Sequence, residues 1–156
     1  MNYSSILGLN DVTHLGFYTI SMLSNIPNLV YLAPTCKEEY LAMLDWSVDQ
    51  DKYLVVISMP GNGVHPAKYP VASSYDSLNE YQVCEKGEEV AVLALGDFFQ
   101  LGEEAARSIE KETGKKVTLI NPRFASGLDE KLLSDLEENH LTKELIMKDV
   151  MKLLHA

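Results

Sequence analysis

One short motif near the start of the chain contains residue types that acid–base chemistry needs. Residues 10–16 read Asn-Asp-Val-Thr-His-Leu-Gly, so Thr13 and His14 stand side by side ahead of a glycine. An imidazole titrates near neutral pH, and a loop at a helix N-terminus adds free amides and the positive end of a dipole. His14 is therefore a candidate for presenting its imidazole to a ligand. The alternative from the residues alone is a surface histidine in a capping loop.

Other residues that could support chemistry lack the spacing that it requires. Gly96-Asp97 and Gly102 flank a strand-to-helix turn, but there is no Gly-x-Gly-x-x-Gly, and Asp97 would repel a phosphate. The four histidines, at positions 14, 65, 140 and 155, have no metal-ligand spacing. The adjacent acids Glu103 and Glu104 are expected to be solvated on a helix face. The sequence therefore predicts no metal site, and it leaves the cofactor-binding residues unassigned.

The pattern after this motif predicts the elements that position it. Residues 17–25 suit a short helix, and the apolar run Leu29–Ala33 lies between two prolines, as is typical of a buried parallel strand. Thr35 and Glu38 fit a capping box that opens the next helix. A second strand is predicted over Tyr53–Met59. Strand, helix and strand at this spacing predict a βαβ unit.

The predicted helix between these two strands has an apolar stripe. Leu41, Leu44 and Val48 recur at i, i+3 and i+7, which is the spacing of one face of an α-helix. We therefore expect these three side chains to pack on a core.

The second half of the chain repeats this pattern after an irregular stretch. Residues 64–87 contain two prolines, three serines and no sustained periodicity, which indicates a linker with a short strand near Tyr81–Val83. The elements predicted beyond it are the strand Val90–Leu95, the helix Phe98–Thr113, the strand Val117–Asn121, a helix opened by residues 126–129, and the helix Leu141–Leu154.

These elements predict an α/β fold made of two incomplete three-layer α/β/α units with mainly parallel strands. The expected first unit covers residues 1–63 and the second covers residues 88–156. Residues 64–87 are expected to join the two units as a linker.

Charge and composition restrict the partners of the chain. Its 156 residues include 13 Lys and Arg and 23 Asp and Glu, for a formal net charge of −10. An acidic surface repels nucleic-acid phosphates and anionic lipid headgroups, so we expect neither nucleic acid nor membrane as a partner. No apolar run reaches the roughly 18 residues of a membrane helix, and the first residues lack the basic flank of a signal peptide. We therefore expect a cytoplasmic protein whose Cys36 and Cys84 stay reduced.

Two stretches of the chain resemble one known family. Residues 11–43 contain the pieces Thr13-His14-x-Gly16, Ile26-Pro27-Asn28-Leu29 and Ala33-Pro34 followed by an acidic helix. This stretch resembles the pyrimidine-binding domain of the transketolase-like thiamine diphosphate enzymes, and it is most similar to the 1-deoxy-D-xylulose-5-phosphate synthases.

The second stretch, residues 87–140, resembles the first half of the C-terminal domain of the same family. Its marks are the strand ending at Gly96, the helix with Glu104-Ala105-Ala106, and Arg123-Phe124 followed by Leu128-Asp129. The two stretches follow the family's order across a linker, which makes their combination more specific than either alone. The resemblance therefore assigns residues 1–63 to a partial pyrimidine-binding domain and residues 88–156 to a partial C-terminal domain.

The resemblance implies a transferase that passes a two-carbon ketol or acyl unit from a 2-oxo acid or ketose, including sugar phosphates, to an aldehyde. Thiamine diphosphate and Mg²⁺ are the implied cofactors of the full-length parent. By position, His14 is the family histidine that faces the thiazolium and the donor substrate and assists proton transfer.

The sequence also departs from the family pattern. The family's Gly-Asp-Gly domain, which holds magnesium and diphosphate, and the glutamate that activates the aminopyrimidine have no counterpart in it. Residues 58–62 contain no arginine where the synthases have a phosphate-binding segment. After His140 the family continues with a strand and a glycine-rich loop, whereas this sequence continues directly with residues 141–154, which resemble the last helix of the family. We therefore expect no cofactor bound to this chain alone, and a diphosphate-binding domain supplied by the parent enzyme or by a companion chain.

Three functional classes remain open from the sequence. The first is a fragment of a transferase of the synthase or transketolase type. The second is a non-catalytic truncated relative that acts as an interaction subunit. The third is the β-subunit of a 2-oxo-acid dehydrogenase, which shares the domain pair but usually lacks Thr-His-x-Gly. Because dimers of the family pair through both domains, we expect a homodimer.

Overall fold

The computed structural model describes residues 2–3, 19–59 and 63–139. In these ranges the chain forms two three-stranded sheets with helices packed on them, so the expected α/β class is confirmed. The predicted helix Leu141–Leu154 and the Thr13-His14 motif lie outside the described residues.

The first sheet is entirely parallel. It contains β1 (Asn2–Tyr3), β2 (Leu29–Leu32) and β3 (Leu54–Met59) in the order β1-β3-β2. Helix α1 (Thr19–Leu23) precedes β2, and helix α2 (Lys37–Asp49) connects β2 to β3. This is the predicted βαβ unit, because a crossover helix is what joins two neighbouring parallel strands.

The second sheet is mixed. It contains β4 (Gln82–Glu85), β5 (Val90–Leu93) and β6 (Val117–Asn121) in the order β4-β6-β5, with β4 antiparallel to β6 and β5 parallel to it. Helix α3 (Phe99–Thr113) follows β5 after a short 3-10 turn, and helix α4 (Glu130–Asn139) follows β6. Strand β4 corresponds to the short strand predicted inside residues 64–87, and it belongs to this sheet.

Gly102 has a packing role at the contact between α3 and the second sheet. A Cβ atom at this position would lie 2.3 Å from the Cβ of Ala94, which is closer than two non-bonded carbon atoms can approach. The glycine is therefore needed for close packing of helix on strand, and it is not part of a phosphate-binding turn.

The prediction for the apolar stripe of α2 was wrong. Leu41, Leu44 and Val48 are exposed, whereas the buried face of the helix carries Met43 and Trp46 together with one glutamate. Residues 39, 43 and 46 also follow a helical period, so the spacing alone could not select the buried face. The larger side chains occupy that face because they pack against aromatic rings from later in the chain.

The core of the first sheet is completed by residues from outside the first unit. Tyr75, from the predicted linker, and Phe124, which follows β6, join Trp46 in one buried cluster, together with Val30, Leu32 and Met43. The Tyr75 ring lies 6.0 Å from the Trp46 ring and 6.4 Å from the Phe124 ring, in edge-on geometry. The two halves of the chain therefore share a hydrophobic core.

Backbone hydrogen bonds attach the segment after β6 to the first sheet. The Ala33 N–H donates to the Arg123 carbonyl at 2.8 Å, and the Ala125 N–H donates to the Tyr31 carbonyl at 2.7 Å. The Tyr31 N–H also donates to the hydroxyl of Ser126 at 3.2 Å. Residues 123–126 therefore cover the outer edge of β2, which would otherwise leave strand amides without partners.

Phe124→Ala should destabilise the whole chain by about 3–5 kcal/mol, because it empties a ring-sized volume in the core that the two halves share. The free energy of unfolding in urea measures this loss. Leu128→Ala is the matched control, since Leu128 is exposed and its truncation should change stability by less than about 0.5 kcal/mol. A loss below about 1 kcal/mol for Phe124→Ala would show that the ring does not hold the halves together.

Candidate functional site at the junction of the two sheets

The most buried polar contact of the described residues joins the two sheets where β2 and β6 end. Glu39 of α2 and Asn121 of β6 are each only 2% exposed. The amide nitrogen of Asn121 donates to both carboxylate oxygens of Glu39, at 3.0 and 3.2 Å. The side-chain oxygen Oδ1 of Asn121 accepts from the backbone N–H of Arg123 at 3.0 Å, and this contact fixes the orientation of the side-chain amide. Glu39 and Asn121 form a specific polar link between the halves.

The start of α2 places the Glu39 carboxylate at this junction. Cys36 is the N-cap, and its sulfur accepts from the Glu39 N–H at 3.4 Å. The carboxylate of Glu39 in turn accepts from both the N–H and the hydroxyl of Thr35, at 2.8 Å each. The capping box predicted from the sequence, Thr35 with Glu38, was therefore wrong by one residue at both ends, since the N-cap is Cys36 and the acid is Glu39. Glu38 instead accepts from the Ala67 N–H at 2.7 Å.

Burial dominates the electrostatics of Glu39. Loss of solvent raises the pKa of the Glu39 carboxyl above its ordinary value, and the hydrogen bonds from Thr35 and Asn121 and the charge of Arg123 only partly oppose that rise. Thr35 and Asn121 donate all four hydrogen bonds that the Glu39 carboxylate accepts from the described residues, so the protein itself satisfies its hydrogen-bonding capacity. Its geometry suits a structural link better than contact with a ligand.

A second buried carboxylate holds the segment that crosses between the halves. Glu103 of α3 is 4% exposed, which contradicts the expectation that it is solvated. The Lys68 ammonium donates to it at 2.6 Å, the Tyr69 hydroxyl donates at 3.3 Å, and Arg107 lies at 3.6 Å. The burial of Glu103 is possible because these donors balance its charge.

Tyr69 links this ion pair to the second sheet. Its hydroxyl contacts Glu85 of β4 as well as Glu103. Burial and the two neighbouring carboxylates raise the pKa of Tyr69, so the hydroxyl stays protonated and donates a hydrogen bond.

The cavity between these groups is small and its thiols are unreactive. It has a volume of about 30 Å³, which is room for a single water molecule, and both cysteines line it. Burial raises the pKa of Cys36, and it raises the pKa of Cys84 to about 12. Both thiols are therefore protonated at neutral pH and are poor nucleophiles. The cavity is too small for a substrate or a cofactor.

The sequence-predicted site residue His14 lies outside the described residues, so the structure brings it together with none of the junction groups. His65, which is described, is exposed, and its carbonyl accepts from the Lys37 N–H at 2.9 Å. Sequence reasoning missed the link between Glu39 and Asn121, since the two residues are 82 positions apart. An acid in the first turn of a helix was the only available signal.

Residues 2–3, 19–59 and 63–139 contain neither a metal-binding cluster nor a membrane-spanning helix. In these ranges no group of three or more His, Cys, Asp or Glu side chains is arranged to hold a metal ion. In the same part of the chain no helix has both the length and the apolar character needed to cross a membrane.

Comparison with known proteins shows which proteins the chain is similar to. Residues 79–152 match the family described as "Transketolase, C-terminal domain". A 1-deoxy-D-xylulose-5-phosphate synthase from Shouchella clausii is 29% identical over 150 residues, which cover 96% of this chain and 24% of that protein. The enzyme of the same name from Clostridium perfringens strain 13 is 26% identical over 139 residues, covering 89% and 22%. This chain therefore spans less than a quarter of the length of these relatives.

Solved structures show the same fold. A protein described as "Split gene transketolase, inactive beta4 tetramer" superposes with a TM-score of 0.71 at 20% identity, covering 85% of this chain and 43% of that chain. A transketolase mutant from Pichia stipitis, H261F, superposes with a TM-score of 0.64 at 16% identity, covering 79% and 18%. The resemblance to the transketolase-like family that the sequence predicts, and the similarity to the 1-deoxy-D-xylulose-5-phosphate synthases in particular, are confirmed.

Asn121→Ala should destabilise the chain by about 2–3 kcal/mol at pH 7, because it removes two hydrogen bonds from a buried carboxylate. The variant should raise the pKa of Glu39 further, so folded Glu39 binds its proton more tightly than unfolded Glu39. Stability is then lost as the pH rises from about 4.5, the ordinary value, toward the folded pKa. The deficit should therefore be smaller at pH 4.5 than at pH 7.

Urea unfolding at the two pH values measures this difference. Gln82→Ala is the control, since half-buried Gln82 also donates a side-chain amide hydrogen bond, at 2.7 Å to the Pro70 carbonyl, but this bond is exposed and its acceptor is uncharged. The control should have a deficit below about 1 kcal/mol that does not change with pH. Equal deficits of Asn121→Ala at pH 4.5 and pH 7 would contradict the assigned link to Glu39.

Proposed function

We propose that the chain is part of a thiamine diphosphate-dependent transferase of the 1-deoxy-D-xylulose-5-phosphate synthase or transketolase type. Such an enzyme moves a two-carbon ketol or acyl unit from a 2-oxo acid or a ketose to an aldehyde. The observation that carries this proposal is the extent of the match to the synthases, which covers up to 96% of the chain and so takes in both halves. The transketolase C-terminal match over residues 79–152 supports it independently.

The proposal divides the chain as the resemblance implies. Residues 1–63 would be part of a pyrimidine-binding domain, and residues 88–156 would be part of a C-terminal domain, with residues 64–87 between them. The junction of Glu39 with Asn121 supports this arrangement, because it would hold the two parts in one fixed orientation. The enzyme would act in the cytoplasm as a dimer.

The described residues do not fit the charged end of thiamine diphosphate. The cavity at the junction is too small for the cofactor, and Lys68, the one lysine among the described residues that line it, is already paired with Glu103. The diphosphate and Mg²⁺ would therefore be held by a separate domain of the parent enzyme or by a companion chain. This chain would contribute His14, which would move a proton at the donor substrate.

A second candidate function is that of a non-catalytic interaction subunit. The chain spans less than a quarter of the length of the synthases that it matches. A solved structure with the same fold is described as the inactive beta4 tetramer of a split-gene transketolase, which is a case of a partial chain that assembles without activity. Turnover by the assembled native complex distinguishes this candidate from the first.

His14→Ala should lower turnover of the assembled enzyme by about 100-fold or more, because a positioned acid–base group contributes on that scale. The assay uses the complex purified with its native partners, with pyruvate as the 2-oxo acid and an aldehyde acceptor. The free energy of unfolding should be unchanged. His65→Ala is the matched control, since His65 is an exposed histidine, and it should retain normal turnover.

Two results would count against the catalytic proposal. Normal turnover of His14→Ala would remove the assigned role of His14. Absence of turnover in the wild-type complex, with thiamine diphosphate and Mg²⁺ added, would favour the interaction subunit.

A further inference from the structure

The exposed face of α2 combines apolar and acidic side chains in two adjacent rows. The first row, which we call the α2 stripe, consists of Leu41, Leu44 and Val48, which are 46%, 40% and 76% exposed. The second, the acidic row, consists of Glu38, Asp45 and Asp49, all exposed. At 100° per residue the acidic row borders the stripe on one side along the length of the helix.

The charge of α2 determines what could cover this surface. The helix contains four acidic residues and a single basic one, Lys37, and the whole chain has a net charge of −10. A second copy docked through the same face would bring acidic row against acidic row, and like charges across an interface are costly. Three side chains also provide far less than the roughly 800 Å² per partner of a stable dimer interface.

A helix is an occupant of the right size and pattern. An amphipathic helix packs on such a stripe with apolar side chains at positions i, i+3 or i+4, and i+7. Leu41, Leu44 and Val48 have the same spacing. Lys or Arg residues beside those anchors would face Asp45 and Asp49. Apolar contact would then supply affinity, and the charges would set orientation and exclude acidic partners.

We propose that the α2 stripe and the acidic row form a docking surface for a basic amphipathic helix of a partner protein. This surface lies on the side of α2 opposite to Met43 and Trp46, so an occupant leaves the shared core and the link between Glu39 and Asn121 intact. The proposal is independent of whether the chain takes part in catalysis.

The probe is a 14-residue synthetic peptide of Leu and Lys in helical amphipathic order, carrying a fluorophore. A peptide of the same composition in scrambled order is the control probe. Fluorescence anisotropy with the full chain should show binding of the ordered peptide, weakened at least about tenfold by the double variant L44S/V48S. The charge reversal D45K/D49K should weaken binding of the same peptide and strengthen binding of a Leu and Glu peptide of the same order.

The matched control variant is L101S/L128S, which removes two leucines that are 56% and 54% exposed elsewhere on the chain. It should change affinity by less than about twofold. The proposal would be overturned if the scrambled peptide bound with the same affinity as the ordered one, or if L101S/L128S lowered the affinity as much as L44S/V48S. Either result would show that the peptide binds by non-specific attraction. Failure of the full chain to bind the ordered peptide, or self-association that L44S/V48S abolishes, would show another occupant and overturn it as well.

Discussion

A buried carboxylate needs hydrogen-bond donors from within the protein, and this requirement fixes the relative position of the two sheets. Glu39 is in the first turn of α2, where local partners satisfy only part of its hydrogen-bonding capacity. The remaining donor is Asn121, at the end of a strand in the other sheet. Because an unpaired buried charge costs several kcal/mol, the two sheets are tied to one relative position wherever Glu39 is buried. Phe124 and the backbone of residues 123–126 lie directly beyond this contact and reinforce it.

The first sheet has no complete core of its own, whereas the second sheet packs on two buried clusters from its own half of the chain. Each sheet has three strands, and the first sheet needs Tyr75 and Phe124 from later in the chain to fill the space beside Trp46. Domains of this size bury little apolar surface, so a shared core is a direct way to reach useful stability. The junction therefore acts through position and not through reactive groups.

The sequence predicted most of the local structure because the strands are apolar runs between prolines and glycines. The strands β2, β3, β5 and β6 and the helix α3 lie close to their predicted positions. Contacts that depend on distant residues could not be predicted. The stripe of Leu41, Leu44 and Val48 has the same helical period as the face that is buried, and only the aromatic rings of Tyr75 and Phe124 decide between them. The burial of Glu103 depends likewise on Lys68 and Tyr69, which arrive from an irregular segment.

Native-state hydrogen exchange tests most directly the claim that the junction joins the two sheets into one cooperative unit. The amides of β2 report on the first sheet, and those of β6 report on the second. If the junction couples the sheets, both sets exchange through the same opening, with a free energy equal to that of global unfolding. A free energy of opening for β2 that lies about 2 kcal/mol or more below that of β6 would show that the first sheet unfolds by itself, which would contradict this account.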